Sequence, residues 1–133
     1  MACATAIAFA GAFAASCNGI VDPSKNHQDM RTGTIAIQGQ ASQSFSTSNT
    51  GEFSVRIDSL APQTGVFVGV IQSTAASDGS CNGSLPILQQ NGFATNNSIA
   101  LTGQIFPGSY CIFLYDVGTF TTTETYTITL SYP

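Results

Sequence analysis

Few residues in this chain of 133 could perform acid–base or metal chemistry. His27 is the only histidine, and Asp29 follows it within a polar stretch that shows no helical or strand periodicity. A histidine next to a carboxylate can belong to a catalytic set or a metal site, but both need further partners, and no second ligand lies at a suitable spacing. We therefore interpret His27 as a solvated side chain, with the metal or catalytic pair as the less favoured alternative.

The acidic residues offer a second kind of chemistry, because two facing carboxylates can hydrolyse a glycosidic bond. From residue 32 onward the acids are Glu52, Asp58, Asp78, Asp116 and Glu124. They show no pairing in the sequence, so we expect exposed positions at turns and strand ends. Asp116 lies inside an otherwise apolar run, where it would accept hydrogen bonds from the turn at Val117-Gly118; a calcium ligand is the alternative. We predict no enzymatic activity and no cofactor.

The N-terminal sixteen residues, MACATAIAFAGAFAAS, carry no charge. A bilayer-spanning helix takes about 20 residues, so this run better suits the apolar core of a secretory signal. Residues 13–17, FAASC, resemble the lipobox of bacterial lipoproteins, in which small residues precede a cysteine that is acylated. The resemblance implies a signal peptide over 1–16, lipidation at Cys17 and a place in the bacterial cell envelope, with Asn18 favouring the outer membrane. Pairing of Cys17 with another cysteine is the alternative.

Charge excludes one class of partner. Only 8% of the residues are charged, the net charge is −4, and Lys25, Arg31 and Arg56 are the only bases. Nucleic-acid binding needs clustered basic side chains to neutralise phosphates, so we expect no nucleic-acid partner. The polar segment 17–31 is interpreted as a tether between the membrane anchor and a domain over 32–133.

The domain shows short alternating runs at intervals of about ten residues, which is typical of an all-β sandwich or barrel. Strands are predicted at 34–37, 43–47, 53–57, 66–71, 85–88, 99–101, 110–116 and 126–132. The run at 110–116 is apolar on both faces, so it should be central in its sheet. Asn91-Gly92 is the strongest two-residue hairpin signal. We predict a two-sheet antiparallel β-sandwich, jelly-roll-like, with about eight strands.

The cysteines indicate one disulfide. Cleavage of the signal removes Cys3 and lipidation uses Cys17, so Cys81 and Cys111 remain as a pair in an oxidising compartment. A reactive thiol is the alternative, but neither cysteine has a cationic neighbour in the sequence to lower its pKa.

The last strands also resemble a known family. FPGSYCIFLYDVG at 106–118, followed by YTITL at 126–130, is similar to the end of bacterial pre-peptidase C-terminal domains. The resemblance implies a secreted jelly-roll-like sandwich without catalytic activity. It differs in that Cys111 replaces the family's usual second aromatic residue.

These observations favour a non-catalytic envelope lipoprotein that acts as an interaction or accessory module, bound to the membrane only through its lipid and to an unknown protein or glycan. A carbohydrate-binding module is the alternative, and a glycan-active or other hydrolase ranks third. In the carbohydrate-binding alternative, exposed aromatic rings would stack on sugars, and the absence of tryptophan counts against it. The candidate rings are Phe67, Phe93, Phe106, Tyr115 and Phe120.

Overall fold

The computed structural model describes residues 23–62, 64–75, 81–82 and 86–133. The predicted signal peptide, Cys17 and Asp78 lie outside the described residues, so cleavage and lipidation stay predictions. Within the described part, the structure holds no helix that is both long and apolar enough to cross a membrane.

The described residues form strands joined by short loops, with a single 3₁₀ turn at Pro23–Lys25. The strands are β1 (His27–Ile35), β2 (Gln40–Thr47), β3 (Gly51–Ala61), β4 (Val66–Gln72), β5 (Thr74–Ala75), β6 (Cys81–Asn82), β7 (Ile87–Ala94), β8 (Ser98–Ile105), β9 (Gly108–Asp116) and β10 (Glu124–Tyr132). β5 and β6 pair only with each other, as a short ribbon between β4 and β7.

The eight long strands form two four-stranded antiparallel sheets, in the orders β1-β10-β3-β8 and β2-β9-β4-β7. When the ribbon is left out of the numbering, the orders become 1-8-3-6 and 2-7-4-5, which is the strand order of a jelly roll. The prediction of an all-β, two-sheet antiparallel sandwich with about eight strands is confirmed.

The core lies between the sheets and is made mainly by residues of β3, β4, β8, β9 and β10, while β1, β2 and β7 contribute Ile35, Phe45 and Ala94. On β9, Tyr110, Ile112 and Leu114 face this core, whereas Phe113 and Tyr115 are half-buried on the outer face. β9 is hydrogen-bonded to β2 on one side and to β4 on the other, so the prediction that it is central is confirmed. On β10, buried aromatic and aliphatic residues alternate with more exposed threonines, as a sheet with one solvated face requires.

The sandwich begins earlier than predicted. Residues 27–31, assigned to the tether, form the first half of β1, and His27 pairs with Tyr132 of β10. The side chains of this segment that point inward are polar, so the sequence shows no alternation of apolar and polar residues there. Asp29 satisfies them by bonding the Arg31 guanidinium at 3.0 Å and accepting the Tyr132 hydroxyl at 3.0 Å. The domain boundary at residue 32 and the tether over 17–31 are therefore wrong at these positions.

Asn91-Gly92 is not a hairpin turn. β7 runs through it, and the register against β4 shifts there: Val66 pairs with Ala94, but Val68 pairs with Asn91. β7 thus advances three residues while β4 advances two, which is a β-bulge. The turn between β7 and β8 lies at 95–97 instead, where Asn97 has a positive φ of 55°.

Candidate functional site

Four loops converge at one end of the sandwich. They connect β1 to β2 (36–39), β3 to β4 (62–65), β7 to β8 (95–97) and β9 to β10 (117–123), and the antiparallel registers bring them to the same end. We call the described residues of these loops, together with Phe93, the loop end. The first residue of β1 and the last residue of β10 lie at the opposite end of the sandwich.

Asp116 joins two of these loops. Its Oδ1 accepts backbone N–H groups from Gly118 at 2.7 Å, Thr119 at 2.9 Å and Phe120 at 3.1 Å, while Oδ2 accepts the Gln38 N–H at 2.9 Å. The backbone N–H of Asp116 donates to the Gly39 carbonyl at 3.1 Å. The last residue of β9 therefore positions both the 36–39 loop and the 117–123 loop.

The electrostatics of Asp116 agree with this anchoring role. Burial acts to raise the pKa of the Asp116 carboxyl, but the four backbone hydrogen bonds outweigh burial and hold the pKa below its ordinary value. Four N–H dipoles pointing at one carboxylate also disfavour an added cation at the same oxygens. This geometry supports the strand-end role over the calcium ligand. Among the described residues, no cluster of three or more His, Cys, Asp or Glu side chains could hold a metal ion.

A second set of bonds fixes the 62–65 loop. The Thr64 hydroxyl donates to Oε1 of Glu124, and the Thr119 hydroxyl donates to the Gly65 carbonyl at 3.3 Å. Glu124 is only 1% exposed and Asp116 is also buried, so the predicted exposure is wrong for both acids, although each lies at a strand end as predicted. Both carboxylates lie inward, where they accept hydrogen bonds from groups of the adjoining loops.

The 95–97 loop is fixed by Asn96. Its side-chain Oδ1 accepts the Leu60 backbone N–H, and its Nδ2 donates to the Leu60 carbonyl at 3.2 Å. Both backbone groups of one β3 residue are thereby paired by a single amide, much as a neighbouring strand would pair them. All four loops are thus held by hydrogen bonds that cross between elements.

The surface so fixed exposes a few apolar side chains among uncharged polar ones such as Gln38, Thr95 and Asn97. Ile37 is 50% exposed and Phe93 is 56% exposed, and Val117, the first residue of the 117–123 loop, is 38% exposed. Gln38, next to Ile37, adopts the left-handed φ of 54°, which a glutamine enters only at a cost. No described residue of the four loops carries a charge. Sequence reasoning missed both residues: it assigned Ile37 to a strand at 34–37, whereas β1 ends at Ile35, and Val117 is an isolated apolar residue that carries no pattern.

The predicted binding aromatics do not form one platform. Phe67 and Phe120 are buried; Phe67 stacks on Tyr115 with 4.2 Å between ring centroids, and Tyr115 is half-buried. Phe93 and Phe106 are exposed but lie at opposite ends of the sandwich, because β8 runs its full length between them. Of the five, Phe93 is the only exposed ring at the loop end, because Phe120 lies in the 117–123 loop but is buried.

The remaining chemical candidates lie elsewhere. His27 is exposed, with its ring 5.8 Å from that of Tyr132 at the far end of the sheet. Asp58 accepts the Thr129 hydroxyl at 2.6 Å and lies 3.4 Å from the Arg56 guanidinium, while Glu52 is exposed. His27, Asp58 and Glu52 all lie outside the loop end, and the structure does not bring His27 together with either acid.

Cys81 and Cys111 form a disulfide, as the sequence predicts, with Cα atoms 5.8 Å apart. The bond joins β6 of the short ribbon to the outer face of β9, where Cys111 is completely buried. It therefore fixes the β5–β6 ribbon to the sandwich and takes no part in the loop end.

No protein-family model matches the chain, and no curated protein matches it. The resemblance to pre-peptidase C-terminal domains therefore stays a prediction. Two solved structures are similar in fold. A mitogen derived from Yersinia pseudotuberculosis superposes with a TM-score of 0.60 and 11% identity, covering 81% of this chain and 87% of its own. PliG from Aeromonas hydrophila, a periplasmic inhibitor of g-type lysozyme, gives 0.55 and 13%, covering 81% and 88%. Identities this low show a shared fold alone: this chain is an all-β sandwich of the architecture found in a mitogen and in an enzyme inhibitor.

Proposed function

We propose that this chain is a non-catalytic interaction module of the bacterial cell envelope and that it binds its partner through the loop end. The observation that carries this proposal is the fixing of four loops by Asp116, Glu124 and Asn96 around exposed apolar side chains. Loops held in one conformation lose little conformational entropy when a partner binds, so less of the free energy gained by burying their apolar area is lost to ordering.

The direction of the strands supports an anchored role. β1 enters the sandwich at the end opposite to the loop end, so a lipid on Cys17 would leave the loop end pointing away from the membrane. Lipidation is tested by mass spectrometry of the native membrane fraction, which should show an acylated N-terminal Cys17. A mature protein that is soluble, unacylated and cleaved elsewhere would remove the anchor from the proposal.

The partner surface is tested by photo-crosslinking in cells. A benzoylphenylalanine at position 37 should crosslink to a discrete envelope protein or glycoconjugate, whereas the same residue at position 106, equally exposed at the other end, should not. Crosslinks confined to position 106, or none at either position, would contradict the assignment.

The fold shared with PliG makes a g-type lysozyme a reasonable first purified partner to try. If inhibition is found, Ile37→Asp should abolish it, because a charge would then be desolvated in an apolar contact. Phe106→Asp is the matched control and should leave inhibition intact. Inhibition that survives Ile37→Asp would place the contact outside the loop end.

A further inference from the structure

One feature of the loop end is a shallow cleft of about 400 Å³, lined by Thr64, Gly65, Phe93, Thr95 and Asn96. Its volume falls within the range of small-ligand sites, which extends from about 300 to 1,000 Å³. Its described lining residues combine one exposed aromatic ring with hydroxyl and amide side chains, and none of these residues is charged.

The bulge in β7 determines where Phe93 lies. Without the extra residue, β7 would keep its regular alternation against β4; with it, the side chain beyond Gly92 is redirected. The bulge is held by Asn91, whose Oδ1 accepts the Phe93 N–H at 3.0 Å and whose Nδ2 donates to the Ala100 carbonyl at 3.2 Å. The exposed position of the ring is therefore built into the strand.

Gly65 provides the surface on which the ring rests. A Cβ at this position would overlap three ring atoms of Phe93, so only glycine allows the ring to lie against the backbone there. The Gly65 carbonyl is fixed by the Thr119 hydroxyl. One side of Phe93 is thus supported by a rigid loop, while 56% of the residue stays open to solvent.

The polar groups around the ring suit a ligand with hydroxyls. The Thr95 backbone N–H and carbonyl are used by the Ser98 hydroxyl, but the Thr95 hydroxyl itself has no partner among the described residues. The Thr64 hydroxyl donates to the buried Glu124 and so keeps its lone pairs to accept a further bond. Oε2 of Glu124 is buried and has no hydrogen-bond partner within the described part of the chain.

We propose that this cleft binds one pyranose ring of a neutral glycan, with its C–H face on Phe93 and its hydroxyls bonded to Thr64 and Thr95. An apolar ring face and adjacent hydroxyls are what this lining complements, and an uncharged rim offers nothing to an anionic or cationic ligand. The inference deepens the proposed function, because it assigns the chemistry of one ligand to part of the loop end.

The test is an NMR titration of the full domain with cellobiose, maltose and N,N′-diacetylchitobiose, each used separately. At least one disaccharide should shift the amide resonances of Thr64, Gly65 and Thr95, and leave those around Phe106 unchanged. Phe93→Ala should weaken that binding about tenfold or more, Phe93→Tyr should retain it, and Phe106→Ala is the matched control. Thr95→Val, which keeps the shape and removes the hydroxyl, should weaken it by a smaller factor.

The proposal is overturned if none of the three sugars produces localised shifts at the cleft, or if binding survives Phe93→Ala. The crosslinking experiment separates this result from the proposed function. A protein crosslink at position 37 that persists without any sugar binding would leave the interaction module standing and remove the glycan site. Loss of both would remove both.

Discussion

Opening the disulfide between β6 and β9 is the perturbation whose size follows most directly from the structure. The bond closes a loop of 30 residues. In the chain-entropy model, a loop of this length lowers the free energy of the folded state relative to the unfolded state by about 3.6 kcal/mol at 25 °C. Cys81 is partly exposed on the ribbon, so Cys81→Ser removes the crosslink with little further change. Cys111 is fully buried, so Cys111→Ser also buries a hydroxyl, at about 1–3 kcal/mol more.

We therefore expect Cys81→Ser to lower the free energy of unfolding by about 3–4 kcal/mol and Tm by about 15 °C or more. Cys111→Ser should lower both further. The assay is urea denaturation followed by circular dichroism, with the wild type in dithiothreitol as a control that should match Cys81→Ser. A loss below about 1 kcal/mol for Cys81→Ser, or equal effects of the two variants, would refute the reasoning. Binding through the loop end should be unchanged under conditions in which each variant is folded.

Three further outcomes follow from contacts in the sandwich. Gly69→Ala should destabilise the fold by about 1–3 kcal/mol in denaturation, because its Cβ would lie 2.5 Å from the Phe113 ring, whereas Gly92→Ala, with open space around it, should not. Leu114→Ala, which empties a fully buried core position, should cost about 2–5 kcal/mol in the same assay. Because the pKa of the Asp116 carboxyl is lowered in the folded state, its contribution to the stability of the fold is complete above the ordinary carboxyl pKa of about 3.9. This contribution is lost as the pH falls through the folded-state pKa. Asp116→Asn should therefore show a flatter dependence of Tm on acid pH than the wild type.

The sequence predicted the central and inward parts of the fold well, because burial leaves a local pattern. β9 and β10 were recognisable from apolar residues on both faces and from strict alternation, respectively. β1 was only half recognised, since its inward side chains are polar and find partners on β10, about 100 positions away along the chain. The sequence of such an edge strand cannot be distinguished from that of a polar tether until its partner strand is known.

Asn91-Gly92 shows a different limit. The pair is favoured in tight hairpins because both residues tolerate unusual backbone angles and asparagine bonds its neighbours readily. The second of these properties also suits a bulge: here the Asn91 side chain bonds the Phe93 N–H within one strand, and neither Asn91 nor Gly92 has a positive φ. A turn and a bulge cannot be distinguished from the local sequence, because which of them forms depends on the pairing of β7 with β4.

The arrangement of the loop end could not be predicted from the sequence. The residues that fix it act over long separations: Asp116 bonds Gln38, Glu124 bonds Thr64, and Asn96 bonds Leu60, which lie 78, 60 and 36 positions apart. Each of these polar side chains resembles an ordinary loop or strand-end residue when the sequence is considered alone. In the fold they supply partners for backbone and hydroxyl groups at one end of the sandwich, where Ile37 and Phe93 are exposed. Ile37 and Phe93, which lie at opposite edges of the two sheets, are the exposed apolar side chains whose role in binding the crosslinking and titration experiments measure.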